Sequence, residues 1–135
     1  KALRADIGDT GSVIVWNKPF ERSCNEGMGE SCHEYKDFTD SVNNRLYDLM
    51  LIFKDKYLDY RFKGSASIKN VLPVLVPELS YKELEIQHGT MAMDGIVNLI
   101  ERATDNVKKL AEALKVYCKL DTLAMVRIFE VIRKL

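Results

Sequence analysis

The sequence predicts an α-rich α/β fold of about six helices and two short strands. Three observations carry that reading. From Met91 to Leu135 apolar residues recur at helical spacing almost without a break. "SVIVWN", residues 12–17, is a β-branched and aromatic run of strand length. Apolar residues make up 47% of the chain and charged ones 30%, an ordinary balance for a globular protein. With 135 residues, one domain is the default. At that size folding hides roughly two-thirds of the unfolded chain's surface.

"KALRADIGDTG" reads as the tail of a helix, closed by Gly8 and Gly11. After the strand, Asn17 reads as a helix N-cap, with Pro19 tolerated in the first turn and Glu21 favoured there by the helix dipole. "NEGMGESCHEYKD", residues 25–37, is polar and broken by glycine, which predicts a loop. "FTDSVNNRLYDLMLIF" begins as a helix on Phe38, Val42 and Leu46, then passes into a second short strand at "DLMLIF". A glycine-serine turn leads to a short helix from about Ser67 to Leu72, which Pro73 and Pro77 keep from running on. "SYKELEIQHGT" is a loop with a marginal helical turn. Met91, Ile96, Val97 and Ile100 mark one apolar stripe, Val107, Leu110, Ala113 and Leu114 the next, and Leu123, Val126, Phe129 and Ile132 the last.

Charge and cysteine content exclude several classes. Twenty basic and twenty acidic residues cancel, so no global field draws the chain to nucleic acid or an anionic membrane. No apolar run approaches the ~20 residues of a membrane span, and no signal peptide opens the chain. Cys24, Cys32 and Cys118 are too few and scattered for a disulfide framework. Cys24 and Cys32, with His33, are spaced too widely for the usual zinc pattern. Reduced thiols in a cytoplasmic protein are the expectation. The chain opens at Lys1 inside what reads as a helix, which suggests the C-terminal piece of a larger protein.

Two places hold a carboxylate in an arranged setting. In "VIVWNKPFE" a strand ends at Asn17, and Phe20 and Glu21 fall in the first helical turn. In "YCKLD" Tyr117 precedes Asp121 by four residues on a helix, so both lie on one side, a turn apart. Each has a plain alternative, a helix cap or a polar edge. His88 beside a glycine reads as a loop residue, Met91 and Met93 as packing. Lys108, Lys109, Arg133 and Lys134 read as solvated helix faces. "KGSAS" offers backbone N–H groups for phosphate or, more simply, a cap at Ser65 or Ser67.

In their order, strand-end Asn-x-x-Phe-acid, a helical insert and Tyr-x-x-x-Asp resemble the second and third motifs of DnaQ-like exonucleases of the DEDD class, tyrosine subclass. "GSVIVWNKPFE", "FKGSASIKNVLPVLVPELSYKELEIQHGTMAM" and "YCKLDTLAMVRIFEVIRKL" also resemble successive blocks of an uncharacterised bacterial domain-of-unknown-function family related to nucleases. The resemblance implies a truncated RNase H-like core. It implies a metal-dependent 3′–5′ exonuclease parent acting on a single-stranded nucleic-acid end, with Mg²⁺ or Mn²⁺ held by oxygen ligands. By the same resemblance Glu21 and Asp121 are the metal-binding carboxylates and Tyr117 orients the attacking water. Phe20 backs the site or stacks on a terminal base, Asn17 fixes the turn, and Asp48 matches an acidic position more structural than ligating.

The family's first motif, Asp-x-Glu on an opening strand, has no counterpart here, so the fragment alone is expected to be inactive. Its two strands are expected to pair with each other, to pair with another copy in a homodimer through their edges, or to be covered by helices. The alternative from another class is a non-catalytic helical module that binds nucleic acid or a partner protein. A third is a purely structural domain.

Overall fold

The computed structural model describes residues 2–101 and 106–134, in two compact units, 1–67 and 68–135. Among the described residues there are seven α-helices and two short strands, an α-rich α/β composition.

The first unit begins with α1 (Ala2–Ile7), then β1 (Val13–Val15). Gly8 and Gly11, at φ +63° and +82°, make the turn between them, a region of backbone space that glycine enters at little cost. Next come α2 (Lys18–Ser31), a 3₁₀ turn (His33–Tyr35), α3 (Lys36–Asn44), β2 (Leu46–Asp48), α4 (Met50–Asp55) and a 3₁₀ turn (Tyr60–Phe62). β1 and β2 pair in parallel with each other, Val13 with Leu46 and Val15 with Asp48. A parallel pair needs a crossover, and α2 and α3 provide it. Val15, Phe38, Val42 and Leu46 form the core beside the strands, with Ile7 and Val13 against it. Arg45 ties the α1–β1 turn down, donating from Nη1 to the carbonyls of Thr10 and Gly11 (both 2.9 Å) and from Nη2 to that of Gly8 (2.8 Å). Phe53, 2% exposed, centres a second cluster: Trp16 stacks on it at 5.5 Å, and Tyr57 and Phe62 meet it edge-on.

Three expectations are corrected in this unit. The glycine-broken stretch is helical as far as Ser31, followed by the 3₁₀ turn, rather than a loop. Gly29 explains this, because a Cβ there would stand 2.6 Å from Thr39 Oγ1, so the glycine lets α2 and α3 approach. The second strand is Leu46–Asp48, and "MLIFKD" is helix α4. Asn17 occupies the N-cap position in the left-handed region (φ 78°), yet its side chain makes no capping bond.

The second unit comprises α5 (Ile68–Leu75), an irregular segment, α6 (Gly89–Ile100) and α7 (Val107–Ile132). α5 continues through Pro73 to Leu75, past the expected stop. Proline there forgoes one i→i−4 bond, while Val71 and Leu72 are fully buried and hold the turn against its neighbours. The last two apolar stripes lie on one 26-residue helix, α7, whose start is capped by the Asn106 side chain accepting from Lys109 N–H (3.3 Å). α7 packs on both α5 and α6. Leu114, Tyr117, Ala124 and Ile128 are its buried positions. No helix among the described residues is long and apolar enough to cross a membrane.

Candidate functional site

At the end of β1 the chain turns through left-handed Asn17 and enters α2 within one residue. The cap comes from across the sheet. The Asp48 carboxylate, 7% exposed, accepts from the N–H groups of Asn17 (3.2 Å), Lys18 (2.8 Å) and Met50 (3.1 Å). It thereby satisfies orphan donors at the start of α2 and binds the strand end to α4. These three contacts give Asp48 a structural part at the strand end. Phe20 projects into solvent at 55% exposure and Glu21 is half-buried one residue on, so Asn17, Phe20 and Glu21 cluster at one helix start.

The second cluster lies in the other unit. Tyr117 and Asp121 share one face of α7, and Tyr117 is buried, 7% exposed. This pair is therefore no exposed edge. Tyr81, from the irregular segment, donates its hydroxyl to Asp121 Oδ1 at 2.6 Å, and its ring lies 6.0 Å from that of Tyr117. Lys69, from α5, sets its ammonium over both rings, 5.5 Å from Tyr81 and 5.8 Å from Tyr117, the range of cation–π attraction. The same Nζ stands 3.3 Å from His88 Nδ1.

Burial, then the hydrogen bond to Asp121, pushes the Tyr81 hydroxyl far above its ordinary range. Tyr117 is pushed up to about 12, by burial first and then by the Asp121 charge. Both remain neutral phenols near pH 7. Burial lowers Lys69, and the Asp121 carboxylate opposes that shift.

The predicted site residues thus form two groups, Asn17, Phe20 and Glu21 in the first unit and Tyr117 with Asp121 in the second. The structure adds Tyr81 and Lys69, which the sequence reading did not single out. A lone tyrosine in a polar loop and a lysine in the apolar run "SIKNVLPVLV" were the available signals. His88 is a loop residue, just before α6, and stands in contact with Lys69. Among the described residues no three His, Cys, Asp or Glu side chains converge as a metal site would require, and one oxygen of Asp121 is committed to Tyr81. The residues present do not by themselves fit a two-metal centre.

The fold and these clusters define an α-rich α/β protein built on a β-helix-helix-β parallel unit. Residues 1–67 match the model of a family described as a domain of unknown function (DUF2779), and the chain is similar to that uncharacterised family over this stretch. The match ends at Ser67, where the first compact unit ends. No curated protein matches the chain, and no solved structure does.

Proposed function

We propose that this chain carries the second and third carboxylate motifs of a metal-dependent 3′–5′ exonuclease with a truncated RNase H-like core, acting on a single-stranded end of DNA or RNA. Glu21 and Asp121 are its metal-binding carboxylates, for Mg²⁺ or Mn²⁺, and Tyr117 is the neutral hydroxyl beside Asp121. The observation that supports this reading most is the common inward face of Tyr117 and Asp121, where the carboxylate is already gathered with buried hydroxyls. The turn at Asn17, which leaves Phe20 free for stacking on a base, agrees with it. These residues do not complete a two-metal donor set, so no hydrolytic step is assigned to them and the fragment is proposed to be inactive alone.

One observation favours a second reading, a non-catalytic module that binds nucleic acid or protein. The Tyr81 hydrogen bond uses an oxygen of Asp121 that a metal ligand would keep open.

The deciding experiment joins these residues to an Asp-x-Glu strand and follows Mn²⁺-dependent loss of 3′-labelled single-stranded DNA. Abolition by Asp121→Asn, with helix content intact, supports the exonuclease. Undiminished degradation in that variant overturns it. Binding of DNA without degradation by the protein joined to that strand gives the second reading.

A further inference from the structure

A cavity of about 190 Å³ opens in the second unit between α5 and the segment that leads to α6. It is smaller than the ~300–1,000 Å³ that drug-sized ligands occupy. Lys69, Lys82 and His88 line it with groups that carry or accept positive charge, and Leu72, Pro73 and Tyr81 give it apolar and aromatic wall. Among the described residues that line it there is no aspartate or glutamate. Asp121, which accepts from the Tyr81 hydroxyl, is not part of the lining.

We propose that this cavity binds a small phosphate monoester that carries a flat apolar group. A phosphate monoester bears ≈ −1.5 to −2 charges at neutral pH, which calls for more than one cation, whereas a carboxylate needs only one. Lys69 is pre-positioned for the task. Two rings and an imidazole hold its ammonium in place, so little side-chain freedom is lost on binding. His88, in contact with the same ammonium, brings its imidazole to the lining as a second polar group. Lys82, an exposed residue of the lining, adds a further positive charge. The apolar wall accounts for the ring, which stacks or packs where a bare anion gains nothing. This inference uses neither Glu21 nor a metal and stands apart from the exonuclease reading.

The test titrates the ¹⁵N-labelled protein with phenyl phosphate, inorganic phosphate and benzoate, followed by amide shifts. Phenyl phosphate is expected to saturate shifts confined to residues 69–73, 79–82 and 87–89, at least about fivefold more tightly than either other probe, since it alone has both ring and dianion. Lys69→Met keeps the stem over the two rings and removes the charge, and is expected to weaken phenyl phosphate about tenfold. Lys82→Met with His88→Gln changes two exposed side chains and is expected to weaken it to a similar degree. Equal affinity for the three probes, or shifts scattered over surface lysines, overturns the proposal. So does undiminished affinity in folded Lys69→Met or, should that variant not fold, in the double variant.

Discussion

Each unit of the molecule is organised around one aspartate, and the two are held in opposite ways. Asp48 accepts from three backbone N–H groups, whereas Asp121 accepts from the side chain of Tyr81 and lies beside a second tyrosine and a lysine. Backbone donors exist at every residue but proline, so Asp48's bonds depend on where the chain runs. Asp121's surroundings depend on which residues stand at positions 69, 81 and 117. The first arrangement builds a fold; the second builds a local environment. Around Asp121, burial first and then the carboxylate push the Tyr81 and Tyr117 hydroxyls up, while burial lowers Lys69 against the pull of that same carboxylate.

The comparison breaks most visibly at Asp48. Asp48→Ala leaves three donors without their acceptor in a buried place and is expected to cost about 3 kcal/mol of stability in urea denaturation. A loss below about 1 kcal/mol would mean that water replaces the carboxylate there. Tyr81→Phe is expected to cost about 1.5 kcal/mol, the range for one hydrogen bond to a charged group. It sharpens the contrast through titration. Tyr117 has its folded pKa raised to about 12, above the ~10 of an unfolded tyrosine. Its contribution to stability is therefore complete below about pH 10 and lost as pH rises through about 12. An ultraviolet titration shows this as late ionisation, and Asp121→Asn is expected to advance it, because the carboxylate charge is one of its causes. Ionisation of Tyr117 together with the exposed tyrosines would remove the distinction between the units.

The smallest expected effect concerns two glycines of α2. A Cβ at Gly29 would meet Thr39 Oγ1 at 2.6 Å, whereas one at Gly27 meets nothing within 4 Å. Gly27→Ala is expected to stabilise by up to about 1 kcal/mol through helix propensity alone. Gly29→Ala gains the same propensity but must move a buried hydroxyl, for a net loss of about 1 kcal/mol. Thermal melts of the two variants should move in opposite directions.

These cases also show what the sequence could convey. β1 was legible because Val13, Ile14 and Val15 are β-branched and flanked by turn residues. The length of α2 was not, since Gly27 and Gly29 look alike in sequence and only the approach of Thr39 gives one of them a purpose. The second strand was displaced by a few residues because "DLMLIF" is apolar throughout, and periodicity does not divide such a run. The Tyr117–Asp121 pair was legible from its spacing of four. Tyr81 was not, because it reaches Asp121 across 40 positions of sequence. The carboxylate pair proposed for catalysis was a reading from motif order, and it still rests on that and on the inward face of α7.

Trp16 has a practical consequence. The chain has a single tryptophan. Its indole N–H donates to the Ala66 carbonyl at 3.1 Å and its ring lies on Phe53, so its emission should respond to the integrity of residues 1–67. An unfolding curve followed by that fluorescence reports on one half of the chain, while absorbance of the buried phenols at high pH reports on the other. Two optical channels in one unlabelled sample would then reveal whether the halves melt together or in turn.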